Sequence, residues 1–183
     1  MRRILISLGA VFALLRALGA EDLQPGEYQI KAAFVFNFAK FVDWPAAAFS
    51  NENGPFYIGV LGDDPFDKDL ELTVSGKQIN NHKLVVKRFG SGKKPEFCHI
   101  LFVSRSERKD WPQILEALKG QPVLTVGDGI EKFGQQGGMI NLIMVGKKVR
   151  FEINQPAAEK ARLKIGSRLL KLGQGSENAQ PSN

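Results

Sequence analysis

Residues 28–44 read YQIKAAFVFNFAKFVDW, and the rest of the chain is organised around them. At helical spacing their aromatic and aliphatic side chains cover most of the circumference, whereas a surface helix needs only one apolar stripe. The clearly polar positions form a narrow strip of Asn37, Lys40 and Asp43. Pro45 ends the helix, because proline lacks a backbone donor and disfavours helical geometry in the preceding residue. The pattern predicts a helix from Tyr28 to Trp44 that is enclosed by its own domain or that also forms a protein interface.

The N-terminus has the layout of a secretory signal peptide. Two arginines follow Met1, an apolar run covers residues 4–15, and Leu18-Gly19-Ala20 supplies small residues before an acidic pair. The run is short for a membrane span, and Arg16 interrupts its end. We therefore expect residues 1–20 to be removed after export.

Charge and cysteine content narrow the class of the exported chain. Loss of residues 1–20 removes three arginines and lowers the formal net charge from +6 to +3. No stripe of basic residues with interleaved aromatics is present, so nucleic-acid binding is not expected. The chain has one cysteine, Cys98, so it can form no internal disulfide. Cys98 opens an apolar run, which favours a buried small side chain, although an odd cysteine can also cross-link two copies.

Strand and helix patterns alternate along the remaining chain. Four strands are predicted over residues 56–61, 84–88, 100–103 and 122–126, and a hairpin over residues 139–145 and 149–153. Helices are predicted to begin at Asp64-Pro65, at Asp110 and near Pro156, where Asn154 is the cap. The last of these helices is predicted to break near Leu163 and then to continue to Leu172. The order predicts a single α/β domain over residues 21–172, a three-layer sandwich with a mostly parallel sheet and an antiparallel C-terminal edge hairpin. Residues 173–183 hold no large apolar side chain and are predicted to be a disordered tail.

Polar loops follow three of the predicted strands. They carry Asp63 and Asp64, Arg105, and Asp128. Open α/β sheets bind ligands at the carboxyl ends of their strands, so these four residues are a candidate crevice. The carboxylates suit a cation or the cationic end of a small ligand, and Arg105 suits an anionic group. Helix capping alone also explains Asp64 and Asp128, and solvation alone explains Arg105.

Catalytic chemistry has little support in the sequence. The two histidines are His82 and His99, and His99 directly follows Cys98. Adjacent side chains on a strand point to opposite faces, so Cys98 and His99 cannot form a dyad. No phosphate-binding loop, dinucleotide fingerprint, nucleophile elbow or zinc-protease motif is present. Neither an enzyme, a metal site nor a cofactor is expected.

Seven segments of the chain form a recognisable set. They are KAAFVFNFAKFVDWP (Lys31–Pro45), GVLGDDPF (Gly59–Phe66), CHILFVSRSE (Cys98–Glu107), PVLTVGD (Pro122–Asp128), GGMINL (Gly137–Leu142), VRFEIN (Val149–Asn154) and IGSRLLKL (Ile165–Leu172). Taken together, they resemble the YfiR family of periplasmic regulators. The resemblance implies an exported protein of a Gram-negative bacterium that binds the periplasmic sensor region of an inner-membrane diguanylate cyclase. Repression of that cyclase would lower cyclic-di-GMP and biofilm formation.

The resemblance also implies a homodimer, an outer-membrane OmpA-type lipoprotein as a second partner, and small-ligand binding. The founding member has paired cysteines that form disulfides, which Cys98 alone cannot reproduce, so redox control is not expected here.

The leading hypothesis is a non-enzymatic repressor, and its expected protein interface consists of Phe34, Asn37, Phe38, Lys40, Phe41 and Trp44. The alternative is a ligand-binding sensory module that uses the strand-end crevice.

Overall fold

The computed structural model describes residues 25–177, so the predicted signal peptide lies outside the described residues. The strands are β1 (Val42–Asp43), β2 (Phe56–Leu61), β3 (Gln78–Ile79), β4 (His82–Phe89), β5 (Ile100–Val103), β6 (Leu124–Asp128), β7 (Ile140–Val145), β8 (Lys148–Ile153) and β9 (Lys164–Ile165). The α-helices are α1 (Glu27–Phe41), α2 (Asp69–Val74), α3 (Trp111–Ala117), α4 (Gln155–Lys160) and α5 (Ser167–Glu177). Two short 3-10 helices cover Ala46–Ala48 and Arg105–Lys109.

Seven of the strands form one sheet in the order β3-β4-β2-β5-β6-β7-β8. The five inner strands are parallel to one another, while β3 and β8 are edge strands that pair antiparallel with β4 and β7. The β7–β8 hairpin pairs Ile140 with Ile153 and closes the C-terminal edge, as predicted. The chain runs from β2 outward to β4 and then returns to β5 on the other side of β2, so the winding direction reverses between β2 and β5.

Two apolar clusters, one on each face of the sheet, make the fold a three-layer sandwich. The larger cluster packs α1, α2 and α5 against one sheet face, with Phe38 of α1 completely buried. The smaller cluster packs α3 and the turn around Phe133 against the other face, with Trp111 at its centre. The inner strands are buried on both faces, which explains their almost continuous apolar sequences. The predicted fold class is confirmed.

The first helix is shorter than predicted. It ends at Phe41, and the next two residues form β1, where Val42 pairs with Ile165 of β9 in a separate two-stranded antiparallel sheet. The backbone N–H of Gly166 donates to the Phe41 carbonyl over 2.8 Å and fixes the change of direction. Val42 is β-branched and so favours this extended backbone, and its strand partner Ile165 lies over 120 residues away in the chain.

Other boundaries also differ from the predictions. Asn80 and Asn81 both have positive φ and form the tight turn of a β3–β4 hairpin that the sequence did not predict. Helix α2 begins at Asp69, because Asp64 instead accepts the Phe66 N–H and forms a non-helical turn. Helix α5 continues to Glu177, past the predicted end at Leu172. Within residues 25–177, none of the helices has the length and apolarity needed to cross a bilayer.

Candidate functional site

A crevice of about 410 Å³ lies between the carboxyl ends of β2, β5 and β6. It occupies the point where the winding direction of the sheet reverses, which is the usual ligand position in open α/β sheets. All four predicted crevice residues line it, so the structure brings them together as expected from chain order. The lining consists of Tyr28, Asp63, Asp64, Pro65, Ser104, Arg105, Ser106 and Asp128.

One wall of the crevice is a buried ion-pair network between α1 and β6. Lys31 is completely buried, and its Nζ lies 2.5 Å from Oδ1 of Asp128 and also donates to Glu27. The Tyr28 hydroxyl donates to Oδ2 of the same aspartate over 3.2 Å. Both oxygens of the Asp128 carboxylate are therefore bound by side chains of α1, and these contacts hold the start of α1 against the end of β6.

The network shifts the pKa of two of its members. Burial alone would lower the pKa of Lys31, but hydrogen bonds to Asp128 and Glu27 outweigh it and raise that pKa above its ordinary value. Burial and the nearby Asp128 charge raise the pKa of Tyr28. Lys31 therefore stays charged and Tyr28 stays protonated at neutral pH. The paired cation also lies 4.7 Å from the Tyr28 ring centroid.

Asp64 is held in a second ion-pair cluster. Arg88, at the end of β4, donates through Nε to Asp64 over 2.6 Å and also pairs with Glu71 of α2. Hydrogen bonding from Arg88 lowers the pKa of Glu71. Since Asp64 also accepts the Phe66 N–H over 2.9 Å, its carboxylate holds the loop after β2 in place.

The remaining crevice residues leave two charged groups available. Asp63 and Arg105 are exposed, and neither forms an ion pair with another residue that the structure describes. Arg105 donates through Nε to the backbone carbonyl of Asp128 over 3.3 Å, which keeps the guanidinium at the crevice rim. The crevice thus offers one carboxylate and one guanidinium to a ligand.

The floor behind these loops is fixed by a buried carboxylate. Glu107 is 2% exposed and accepts hydrogen bonds from the hydroxyls of Ser91 and Ser106 and from the Gly92 N–H. Burial alone would raise the pKa of Glu107, but these hydrogen bonds lower it. Ser106 also accepts the Asp63 N–H over 3.1 Å, so the loops after β2 and β5 are joined.

The predicted interface residues on the first helix have different environments. Phe38 is completely buried and contacts Phe151, so its ring is enclosed by the core and is not accessible at the surface. Trp44 is half-buried, and its indole N–H donates to the backbone of His99 over 3.2 Å. Phe34 is half-buried against the Phe38 ring. Helical spacing could not separate these positions, because the helix is apolar around most of its surface.

The polar strip provides the accessible part of the same helix. Lys40 is exposed, Asn37 is half-buried, and Phe41 is half-buried beside them. Lys31, earlier on the same helix, belongs to the crevice network. Its partner Asp128 is 97 residues away, so only the fold reveals the pairing.

Neither Cys98 nor His99 is positioned as a reactive group. Burial raises the pKa of the Cys98 thiol to about 12, so the thiol stays protonated. Burial lowers the pKa of His99 to about 4, and its ring is stacked on Phe49 and Phe56. The Tyr57 N–H donates to Nδ1 of His99 over 3.0 Å. Both side chains are therefore buried packing residues of the core.

A larger groove of about 530 Å³ lies near the opposite ends of the strands, between α3 and α4. Its lining includes the apolar side chains of Leu115, Met139 and Ala157. The buried Thr125 hydroxyl in this lining already accepts the Met139 N–H over 3.1 Å. The charged residues of this groove are Glu116, Lys119 and Lys160, and Glu116 and Lys119 pair with each other over 3.2 Å.

Comparison with known proteins assigns the chain to a family. A family model described as YfiR/HmsC-like matches residues 28–174, which is most of the sequence. A search of curated proteins found no significant match. The family consists of regulatory, non-catalytic proteins that are associated with the periplasm and with diguanylate cyclase signalling. On this match, the protein belongs to the YfiR/HmsC-like family.

Proposed function

We propose that this protein is a non-enzymatic periplasmic repressor that binds the periplasmic sensor region of an inner-membrane diguanylate cyclase. It stabilises the inactive state of the cyclase by binding that state more tightly than the active one, and so lowers cyclic-di-GMP and biofilm formation. Membership of the YfiR/HmsC-like family is the observation that carries this proposal. A homodimer and an OmpA-type lipoprotein that sequesters the repressor complete the proposed set of partners.

The accessible face of α1 supports a protein-binding role. Asn37, Lys40 and Phe41 lie together on the outside of a helix whose other sides are fixed in the core. A rigidly held surface loses little conformational freedom when a partner binds, which favours recognition. In this proposal Phe38 does not contact the partner and contributes only by packing in the core.

The state of the interior residues supports a role without catalysis. The protonated Cys98 thiol and the enclosed neutral His99 ring are unsuited to nucleophilic or general-base chemistry. Asp64 and Asp128 are occupied by Arg88 and Lys31. Two of the charged groups that line the crevice therefore hold the fold together.

The test of the repressor proposal is the intracellular cyclic-di-GMP concentration in cells with and without the gene. The deletion strain is complemented either with the full precursor or with a version that lacks residues 1–20. A rise on deletion, reversed only by the precursor, supports an exported repressor. An unchanged concentration, or equal complementation by both forms, contradicts it.

The position of the crevice favours a second candidate, a small-ligand sensory module. Asp63 and Arg105 would contact the ligand, since they are the crevice charges without an ion pair in the described part of the chain. Its test is thermal stabilisation by a panel of small charged metabolites, compared between the wild-type protein and an Asp63→Asn, Arg105→Gln variant. Stabilisation of the wild type alone supports this candidate, and equal stabilisation of both proteins contradicts it.

A further inference from the structure

A row of alternating cations and phenyl rings crosses the outer surface of α1. The Nζ of Lys77 lies 4.3 Å from the centroid of the Phe36 ring, and the Nζ of Lys40 lies 5.6 Å from it. Lys40 is also 5.8 Å from the Phe41 centroid, and the Arg168 guanidinium is 5.5 Å from the same ring. We call these five residues the cation–aromatic strip.

Three separate elements build this strip. Lys77 follows α2, the two rings and Lys40 belong to α1, and Arg168 lies on α5. All three cations are exposed, whereas Phe36 and Phe41 are half-buried and pack against the core. Because α1 is fixed against both neighbouring helices, the fold sets the spacing of the cations before any partner arrives.

The cations of the strip lack acidic partners within the described residues. Lys40, Lys77 and Arg168 form no ion pair there, whereas Lys31 and Arg88 each contact two carboxylates. Three unneutralised positive charges on one surface favour the approach of a negatively charged partner. The phenyl rings between them provide apolar area that a hydrated ion would not use.

We propose that the cation–aromatic strip is the docking surface for an acidic segment of a partner protein. Aspartate or glutamate carboxylates pair with neighbouring cations, and the apolar parts of the segment lie on the phenyl rings. The inference rests on the proposed function and deepens it, because it specifies the chemistry that the cyclase sensor region presents to α1. A membrane surface fits less well. The half-buried rings are unsuited to insertion, and three basic residues give only weak, salt-sensitive adsorption to anionic lipid.

The experiment measures the affinity of the purified exported chain for recombinant periplasmic sensor regions of the host's membrane diguanylate cyclases. The test variant is Lys40→Glu, Arg168→Glu, which places like charges opposite the acidic segment. The control is Lys109→Glu, Lys148→Glu, which makes the same change of net charge at exposed positions outside the strip. We expect the test variant to lose affinity by about 30-fold or more, and the control by less than about threefold. Melting temperatures of both variants establish that the fold is intact.

Each remaining result has a distinct meaning. Undiminished affinity of the folded test variant overturns the docking surface and leaves the repressor proposal standing. Failure of the wild-type chain to bind any sensor region contradicts both. Vesicles of phosphatidylglycerol and phosphatidylethanolamine provide the membrane comparison. If the test variant loses vesicle binding but keeps its affinity for the sensor region, the strip recognises lipid and the protein-docking inference is overturned.

Discussion

Replacing Lys31 with methionine is expected to destabilise the protein more than any exposed lysine replacement. The side chain is completely buried, and its Nζ is the cation that faces both Asp128 and Glu27. Methionine fills a similar volume, so the change removes the charge without opening a large cavity. Asp128 is 2% exposed and would be left as a buried carboxylate, and among residues 25–177 its one remaining side-chain donor would be the Tyr28 hydroxyl.

Removal of one member of a buried ion pair typically costs about 3–5 kcal/mol, because the other charge stays desolvated. We expect Lys31→Met to lower the free energy of unfolding by about this amount. Glu27 adds little to the cost, since its side chain is 36% exposed and can turn toward water. Asp128→Asn leaves Lys31 with only Glu27, so this single change also destabilises. The double variant is expected to be more stable than the sum of the two single changes predicts, by about 1 kcal/mol or more.

Urea unfolding followed by tryptophan fluorescence measures these differences. The two tryptophans report on both layers of the fold, since Trp44 packs beside the larger cluster and Trp111 lies in the smaller one. Lys40→Met is the matched control on the same helix, and it is expected to cost no more than about 1 kcal/mol. A Lys31→Met cost below about 1 kcal/mol, or additive single and double variants, would refute the assignment of this network as a stabilising buried pair.

Three further predictions concern the interior. The pKa of His99 is about 4 in the fold and about 6.5 in the unfolded chain. The stability due to its neutral ring is therefore present above about pH 6.5 and falls by about 3 kcal/mol toward pH 4. Unfolding measured against pH should show a flatter slope for His99→Gln, and an identical slope would contradict this cause. Gly138→Ala is expected to cost about 1–3 kcal/mol, since its Cβ would clash with the Phe133 ring. The control Gly90→Ala, whose Cβ would meet the Lys93 side chain at 3.9 Å, should change stability by less than about 0.5 kcal/mol. Equal melting temperatures of the two variants would exclude the clash. Cys98 should react with a thiol reagent only after denaturation, so rapid labelling of the native protein would disprove its burial.

The sequence was informative where local patterns and chain order determine structure. The strands at residues 56–61 and 100–103 have the predicted bounds, because continuous apolar runs between turn residues define buried parallel strands. Parallel strand ends meet at one sheet edge, so the grouping of Asp63, Asp64, Arg105 and Asp128 followed from their order. Ligand binding there stays a prediction.

Contacts between residues far apart in the chain could not be predicted from the sequence. Val42 continued a helical pattern, and only pairing with Ile165 turns it into a strand. The cation–aromatic strip joins Lys77, in the loop after α2, to α1 and to Arg168 on α5, and no single periodicity connects these segments. The predicted interface included Phe38, because the helical pattern alone does not show which apolar side of the helix faces the sheet.

In the proposed function, this chain represses a cyclase from the periplasmic side of the membrane. Its most direct test adds the purified exported chain to spheroplasts of the deletion strain and measures intracellular cyclic-di-GMP over time. We expect cyclic-di-GMP to fall with added wild-type protein and not to fall with the Lys40→Glu, Arg168→Glu variant. An unchanged concentration with wild-type protein, in spheroplasts shown to contain an active membrane diguanylate cyclase, would rule out repression from the periplasmic side.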